Sequence, residues 1–475
     1  MSAMRLPLVL RQAVGVALVA LAFPAFAAKD DPFDTARLRP PEPHQAWEQP
    51  PGPPCPAPVV VPDPLTLLDA VELALCNNPR TRESWSAAKA SAAQVGIARG
   101  AYLPNVTVTG ALQSTDQRNT VQAGRRDQAT GSIALNYLLF DFGGRDAALE
   151  QARQSLFAAD WSHNFTLQTV LQDAASAYFQ LFANEEAVVA ARAAEESAQK
   201  SLDAARARQK AGAATRADVL QSQTALSQSQ LARVQAEGGA ASARGVLANR
   251  IGVTSDRPVR IVAPADLEAR RLADAQVEQL VQTAVARRPD LLSAEANVRA
   301  AESNVRVQEA AGKPTISAFG TGTGTNNNPG LEARSGTIGV QISIPLFTGY
   351  QSTYRIRTAR EQLEQQQATR DRLRNDVSLD VWQAFQDLRT QNQSLATAGD
   401  LVASARESYD VALGRYKAGV GTVTDLLNAQ SALANANLQR IQARFSWNVA
   451  KITLAKAIGG LDAGLFNDLS AAAPR

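Results

Sequence analysis

The chain carries the same segment twice, 207 positions apart. The residues from Lys417 to Gln430 repeat those from Lys210 to Gln223, with Lys-Ala-Gly, a Thr, an Asp, a Leu and the final Gln in the same places. The match continues to Ile458-Gly459, which corresponds to Ile251-Gly252. A period this long indicates a duplicated half-molecule and not a solenoid of short repeats.

Each copy of the segment predicts a helix hairpin. A glycine is placed to end one helix in a left-handed cap, and a Thr-x-x-Asp follows that starts the next helix as a capping box with Asp in the place of Glu. The acid also lies at the positive end of the new helix. These residues are Lys210, Gly212, Thr215 and Asp218 in the first copy and Lys417, Gly419, Thr422 and Asp425 in the second.

Residues 1–27 are predicted to be a signal peptide. Arg5 and Arg11 precede an apolar run over residues 13–22, and Ala25-Phe26-Ala27 is a small-residue cleavage site. Of the 48 basic residues two lie in this segment, which leaves 46 against 45 acidic residues and argues against a nucleic-acid partner. After it, no apolar run reaches the roughly 18 residues that a transmembrane helix needs.

Two cysteines, Cys55 and Cys76, follow the predicted signal peptide. An oxidising compartment would permit a disulfide between them. The alternative is that Cys76 is a small buried helix residue and Cys55 is unpaired, and the sequence leaves both open.

The rest of the chain divides into five predicted segments. Residues 28–64 hold 12 of the 23 prolines and predict an extended, proline-rich linker. The first repeat covers residues 65–252, with a helix broken at Asn78-Pro79, and the second covers 277–460, with the same break at Arg288-Pro289. An inter-repeat linker over 253–276 and a C-terminal tail over 461–475 complete the chain.

Two runs of alternating apolar and polar residues follow the first helices of each repeat. The clearest run has Ile338, Val340, Ile342, Ile344 and Leu346 alternating with mostly polar residues. Each run is about ten residues, the length with which a tilted β-strand crosses a bilayer. Polar loops over Ser114–Thr130 and Gly324–Ser335 are expected to join the strands in pairs. Aromatic residues at the opposite strand ends are candidates for an interfacial girdle, with ordinary packing as the alternative: Tyr102, Phe140, Phe142, Phe347 and Tyr350.

Two very long helices are predicted over residues 144–210 and 351–417. Each has 67 residues, which at about 1.5 Å per residue would extend about 100 Å. Return helices are predicted over 215–251 and 422–458. An alanine-rich seam on the first long helix predicts close packing with neighbouring helices, which a helix of this length needs for stability.

Four strands per chain predict an oligomer. Open strand edges are not tolerated in lipid, because each unpaired backbone group costs several kcal/mol. Two chains would close a barrel of eight strands, whose interior is filled by side chains, whereas three chains would form twelve strands and leave a passage. A conducting assembly therefore requires at least a trimer.

The chain resembles the TolC family of outer-membrane efflux and secretion channels. The resemblance covers about residues 65–460. Its motifs are Lys417–Leu427 with their copy Lys210–Leu220, Asn78-Pro79 with Arg288-Pro289, and Leu-Phe before Gly at Leu139-Phe140 and Leu346-Phe347. It implies an α+β membrane protein with an internal two-fold repeat: a homotrimer with a 12-stranded β-barrel in outer-membrane lipid on a long periplasmic α-helical barrel. It also implies a periplasmic adaptor and an inner-membrane pump, ABC-type or proton-driven, as partners.

The resemblance also assigns roles to the hairpins. Acidic residues just inside the second hairpin form a ring at the periplasmic entrance in that family, and Asp425 matches the first such position. The second position is Asn428 here, and Gly421 stands where some members have an Arg that helps to latch the closed state. The hairpin ends Lys210–Thr215 and Lys417–Thr422 are expected to meet the adaptor. The alternative is that Asp425 and Asp218 only cap their helices and that the ends are plain turns.

The sequence argues against an enzyme and predicts no cofactor, because the two histidines, His44 and His163, belong to no recognisable catalytic or metal cluster. Two rival classes are a trimeric adhesin or autotransporter, whose strands would be contiguous, and a soluble periplasmic scaffold, which would not need strands of bilayer length. Among channels, the overall pattern resembles the outer-membrane exporters of adenylate cyclase–haemolysin (RTX) toxins. Type I secretion of a protein toxin is therefore expected, with drug or metal efflux as the alternative.

Overall fold

The computed structural model describes residues 31–40, 60–117, 124–257, 259–263, 277–328 and 332–461. Its elements occur in the same order twice: two short helices, a strand pair, a long helix and a return helix. The first set is α1 (Leu67–Asn77), α2 (Pro79–Gly100), β1 (Asn105–Gln117), β2 (Gly124–Phe140), α3 (Gly144–Lys210) and α4 (Arg216–Arg250). The second set is α5 (Val277–Arg287), α6 (Pro289–Ala310), β3 (Thr315–Asn328), β4 (Glu332–Ser343), α7 (Gln351–Lys417) and α8 (Val423–Ala457).

The chain forms two compact units. One, here called the sheet unit, contains Ala88–Ala159, Ala294–Arg370 and the described residues before position 40. The other, here called the helical unit, contains Asp160–Ser293, the described residues 40 and 60–87, and the chain from Asp371 onward. No helix in the described part of the chain combines the length and the apolar character needed to cross a membrane.

The four strands form one antiparallel sheet in the order β1-β2-β3-β4. Val108 pairs with Ile133 and Gly320 pairs with Ile338, so the apolar residues of neighbouring strands share one face. In the single chain this face is exposed along its length, and its larger members are Val106, Val108, Leu112, Ile133, Leu135, Ile338, Val340 and Ile342.

The strands differ from the predicted ones at both ends. The segments Ser114–Thr130 and Gly324–Ser335 were expected to be loops, but β1 extends to Gln117, β2 begins at Gly124, β3 extends to Asn328 and β4 begins at Glu332. Backbone pairing continues there because the ladder bonds do not depend on side-chain polarity. At the other end β4 stops at Ser343, so Ile344 and Leu346 lie beyond the strand. Pro345 between them has no N–H to donate to a ladder.

The long helices agree with the sequence to the residue, at 144–210 and 351–417. The return helices α4 and α8 begin and end within one residue of the predicted bounds. In the described part of the chain three helices start with Thr-x-x-Asp, and each start forms a full capping box; the third is Thr66 and Asp69 at the start of α1.

Part of the proline-rich segment is folded, which the prediction of an extended linker did not include. Thr35–Leu38 form a turn of 3₁₀ helix, and the Asp31 carboxylate accepts hydrogen bonds from the backbone N–H groups of Thr35 and Ala36. Leu38 packs against Val95 of α2 and Leu156 of α3 in the sheet unit. Cys76 is disulfide-bonded, and the other cysteine, Cys55, lies outside the described residues, as does the predicted signal peptide.

The largest core cluster lies in the helical unit around Tyr178 of α3. Its hydroxyl donates to the carbonyl oxygen of Val262 at 2.6 Å and lies 3.2 Å from that of Leu65, which forms a parallel bridge with Ile261. Ile452 of α8 is buried in the same cluster. The core therefore joins the first repeat to the last helix of the second.

Candidate functional site

The turn between α3 and α4 has the predicted geometry. Gly212 has φ +74°, and its N–H donates to the carbonyl of Gln209, which closes the left-handed cap. The N–H of Thr215 donates to Asp218 Oδ2 at 2.8 Å, and the N–H of Asp218 donates back to Thr215 Oγ1 at 3.2 Å. Lys210 is the last residue of α3 and is exposed.

The turn between α7 and α8 has the same construction. Gly419 has φ +83°, and the N–H of Asp425 donates to Thr422 Oγ1 at 3.1 Å. Lys417 ends α7 and is exposed. A Cβ at Gly421 would lie 3.0 Å from Arg415 Cβ and from the backbone nitrogen of Tyr416. This turn therefore does not admit a side chain at position 421 without a shift.

The two hairpins contact each other through Arg208 and Tyr416. Arg208 Nη1 donates to the carbonyl oxygen of Tyr416 at 2.6 Å, and the guanidinium lies 4.6 Å from the centre of the Tyr416 ring. The ring itself is buried against Val423 and Leu426. One arginine thus ties the last turn of α3 to the last turn of α7.

A second polar contact joins the return helices near their starts. Thr424 Oγ1 lies 3.2 Å from Gln221 Oε1, so the hydroxyl donates to the amide oxygen. Sequence reasoning missed Arg208, Tyr416, Thr424 and Gln221, since it treated each hairpin by itself. A signal was present: Tyr416 replaces Gln209 of the first copy, and a buried aromatic residue at an otherwise polar tip indicates a partner.

Asp425 and Asn428 are both exposed, one helical turn apart on α8. Hydrogen bonds from the side chain and backbone of Thr422 lower the pKa of the Asp425 carboxyl below its ordinary value, so the group is charged at neutral pH. The predicted capping bond of Asp425 is therefore present, and its carboxylate is also exposed to solvent.

The five aromatic residues that were predicted to lie at the membrane interface belong to the sheet unit, as two exposed pairs and one half-buried tyrosine. Phe140 and Phe142 are exposed and stack edge to face at 4.8 Å, and Phe347 and Tyr350 do the same at 5.6 Å. Tyr102 is half-buried, and its hydroxyl donates to Asp146 while Arg145 lies over its ring. Four of the five are thus available at a surface, and the fifth has polar partners of its own.

His163 on α3 is fully buried. The imidazole Nδ1 lies 2.8 Å from Ser84 Oγ of α2, and burial lowers the pKa of His163 to about 4. In the part of the chain that the structure describes, no group of three or more His, Cys, Asp or Glu side chains is placed to hold a metal ion. We therefore assign this histidine to the packing of α3 on α2.

Comparison with known proteins gives a consistent result. The profile of the family described as "Outer membrane efflux protein" matches residues 70–253 and 280–460. The chain is 34% identical over 414 residues to Protein CyaE of Bordetella pertussis, which covers 86% of this chain and 87% of that protein. It is 28% identical over 406 residues to the outer membrane efflux protein BepC of Brucella suis, which covers 84% and 86% of the two chains.

The fold is also similar to solved structures. The crystal structure of CusC superimposes with a TM-score of 0.74 at 18% identity and covers 83% of this chain and 92% of that chain. Its title concerns conformational changes that accompany folding and transmembrane channel formation. At this level of identity the similarity establishes the fold.

Proposed function

This chain belongs to the outer membrane efflux protein family, and from that premise we propose that three copies form a tunnel that serves type I secretion of a protein toxin. The fold is the TolC-like one, the protein is an outer-membrane channel component of tripartite export systems that extends into the periplasm, and it is not an enzyme. Our proposal goes beyond these family properties in three respects: the trimer, the cargo and the roles of single residues.

The observation that carries the trimer is the sheet with two unpaired edges. β1 and β4 are the outer strands of the four, and the apolar face that they share with β2 and β3 is exposed in the single chain. In lipid those edges must pair, and the edges of further copies are the matching partners. Three copies give twelve strands, and a barrel of twelve strands is wide enough for a passage.

Secretion of a protein toxin is supported over drug or metal efflux by the resemblance of the sequence to exporters of RTX toxins. The identity to Protein CyaE, 34%, also exceeds the 28% to a protein named for efflux. We also propose that the two repeats, 65–252 and 277–460, are the functional halves of each copy. An inner-membrane ABC pump is the expected partner for secretion, and a proton-driven pump for the efflux alternative.

The hairpin ends are proposed to meet the periplasmic adaptor, through the exposed residues Lys210, Gly212, Lys417 and Gly419. Asp425 and Asn428 are proposed to line the periplasmic entrance. Support comes from the exposure of both side chains and from the lowered pKa of Asp425, which keeps a negative charge there. The exposed aromatics Phe140, Phe142, Phe347 and Tyr350 are proposed to lie at the membrane interface.

The test is reconstitution of secretion. The chain would be produced in a strain that lacks its own channel, together with the ABC pump, adaptor and RTX-type protein from the same source organism. We expect the toxin in the medium only when all three exporter components are present. Toxin that stays inside while resistance to small drugs or metals rises would favour the efflux alternative.

A matched pair of variants tests whether the hairpin ends dock to the adaptor. Lys417→Glu changes an exposed hairpin end, whereas Arg374→Glu changes an exposed position far along the same helix. Secretion is expected to fall with the first and to persist with the second. Equal secretion by both would remove the hairpin from the docking proposal.

A further inference from the structure

The two joints between a strand and a long helix carry different charges. The first joint, residues 136–153 between β2 and α3, contains three acidic and two basic residues: Asp141, Asp146, Glu150, Arg145 and Arg153. The second joint, residues 343–360 between β4 and α7, corresponds to it 207 positions later. It contains Arg355, Arg357 and Arg360 and no acidic residue. The same place in the fold is therefore acidic in one repeat and basic in the other.

The first joint uses its basic groups within the chain. Arg145 Nε lies 3.4 Å from Asp141 Oδ2, and the same guanidinium donates to two backbone carbonyl groups at the end of β2. Arg153 Nη1 lies 3.8 Å from Glu150 Oε2. Both arginines of this joint thus have an acidic partner, and neither is left for a ligand.

The second joint leaves two of its three arginines unpaired. Arg360 forms an ion pair with Glu309 of α6, with Nη2 and Oε1 2.9 Å apart. Arg355 and Arg357 are exposed, and in the part of the chain that the structure describes neither has an acidic partner. Two guanidinium groups are therefore available to an external anion.

A third cation lies beside them. Lys313 follows α6, is exposed, and has no ion pair among the described residues. A Cβ at the preceding Gly312 would lie only 2.8 Å from Ser352 Oγ, so this part of the chain passes close to the first turn of α7. Three unpaired basic side chains therefore surround the start of one helix.

The chain that leads into α7 is apolar and exposed. Leu346 and Phe347 are 92% and 76% exposed, and Phe347 stacks edge to face on Tyr350 at 5.6 Å. The N–H of Tyr354 donates to the carbonyl of Tyr350, which places Tyr354 one turn further, and Arg357 shares a face with Tyr354. Aliphatic, aromatic and cationic side chains thus follow one another in the order of hydrocarbon, interface and headgroup.

We propose that Lys313, Arg355 and Arg357 bind the phosphate of an anionic phospholipid in the leaflet that faces the periplasm. The inference rests on the proposed position of Phe347 and Tyr350 at the membrane interface and adds a ligand class there. A guanidinium binds phosphate through paired hydrogen bonds, and a lysine adds a point charge. Arg357 lies about 10 Å beyond Tyr350 along the chain, and its long side chain reaches back toward the headgroups.

The occupant follows from the chemistry of the surface. Phosphatidylglycerol has a net negative charge, whereas phosphatidylethanolamine carries an ammonium group that three nearby cations disfavour. Inorganic phosphate matches the cations but buries none of the exposed surface of Leu346 and Phe347, which acyl chains would cover. Each copy of the chain should therefore bind an anionic lipid at the second joint and not at the first.

The experiment is native mass spectrometry of the full chain, purified in an uncharged detergent and titrated with phosphatidylglycerol or phosphatidylethanolamine. We expect retained phosphatidylglycerol on the native protein and much weaker retention of phosphatidylethanolamine. Arg355→Gln combined with Arg357→Gln should weaken phosphatidylglycerol binding about tenfold or more, since each basic residue near an anionic lipid contributes a factor of about five.

Two further double variants are the controls. Arg372→Gln with Arg374→Gln removes the same charge at the same spacing, at exposed positions about 25 Å further along α7, and should bind like the native protein. Arg355→Lys with Arg357→Lys keeps the charge but not the paired hydrogen bonds, and should bind with intermediate affinity.

The spectra also give the number of chains in each complex, which separates the outcomes. A trimer that loses phosphatidylglycerol only in the glutamine variant of the second joint supports the lipid site. Equal binding by both glutamine variants, equal binding of the two lipids, or displacement by excess inorganic phosphate overturns the lipid site and leaves the trimer standing. The expected lipid pattern on a complex of another size supports the lipid site and overturns the proposed trimer.

The position of the interface is checked separately. Phe347→Trp in nanodiscs should gain fluorescence, relative to the native protein, that brominated lipid quenches. Quenching together with equal lipid binding by both glutamine variants keeps the interface and overturns the lipid site. No quenching overturns the interface and the lipid site that rests on it.

Discussion

Arg208 holds the backbone of Tyr416 in a hydrogen bond of 2.6 Å and lies over its ring at 4.6 Å, so the ends of α3 and α7 are joined by one side chain. Lysine cannot reproduce this contact, because the planar guanidinium both stacks and donates. Any movement that separates the two hairpins has to break it.

The first prediction concerns that contact. Arg208→Ala should shift the hairpins toward the separated state by about tenfold or more, since a hydrogen bond from a charged donor contributes about 1.5–3 kcal/mol. Single-channel recording should show higher open probability, with Arg208→Lys in between. Arg216→Ala, an exposed position just beyond the turn, is the control. Identical recordings for Arg208→Ala and the native protein would rule out a latching role.

The second prediction concerns the cap of α8. Thr422→Ala removes the hydroxyl that accepts from the N–H of Asp425 at 3.1 Å. Loss of an N-cap costs about 1 kcal/mol, so amide exchange in the first turn of α8 should become about fivefold faster. Thr422→Ser keeps the acceptor and should exchange at the native rate. Equal exchange in the alanine and serine variants would mean that the cap contributes nothing measurable.

The third prediction concerns the pH dependence of stability. The pKa of His163 is lowered to about 4 by burial, below the ordinary value near 6.5, so its contribution to stability is complete above pH 6.5 and is lost as the pH falls toward 4. The loss should reach about 3 kcal/mol. Denaturant unfolding at pH 7 and pH 5 should show a smaller pH effect in His163→Gln than in the native protein.

Asp160, one turn earlier on α3, provides a control of opposite sign. Burial raises the pKa of its carboxyl to about 6, so its contribution is complete below about pH 4 and is lost as the pH rises through 6. Asp160→Asn should therefore lose more stability on acidification than the native protein does. A change in the same direction as His163→Gln would show that the two groups do not titrate as described.

The fourth prediction compares two glycines in the left-handed region. Gly212 and Gly252 have φ +74° and +77°, so alanine at either position costs about 1–2 kcal/mol of backbone strain. A Cβ at Gly252 would in addition lie 2.6 Å from the backbone carbonyl carbon of Asn77, while at Gly212 nothing lies within 4 Å. Gly252→Ala should lower the unfolding midpoint more than Gly212→Ala. Equal midpoints would mean that α1 shifts aside freely.

Local features were the ones that the sequence predicted well. The glycine caps, the Thr-x-x-Asp boxes and the long helices depend on residues a few positions apart, so the pattern around Gly419 or Thr215 was sufficient. The alternation of apolar residues likewise predicted the sheet. The strand ends were missed because the ladder continues into polar residues such as Asn326, where hydropathy no longer reports pairing.

Contacts between distant segments could not be predicted in the same way. Arg208 and Tyr416 are 208 positions apart, and nothing near either residue specifies the other. The packing of Leu38 on α2 and α3 could not be predicted from the proline-rich segment around it. A proline-rich composition predicts the backbone conformation of a segment and not the residues against which it packs.

Single-channel conductance in a planar bilayer tests directly whether this chain forms a passage. The recordings would compare the purified native chain with Asp425→Asn and Asp218→Asn. We expect discrete conductance steps, a reduced preference for cations in Asp425→Asn, and native behaviour in Asp218→Asn. Steps that are unchanged by Asp425→Asn would keep the channel and limit Asp425 to its cap. Protein that is trimeric and inserted but produces no steps would contradict the claim that this chain forms a passage.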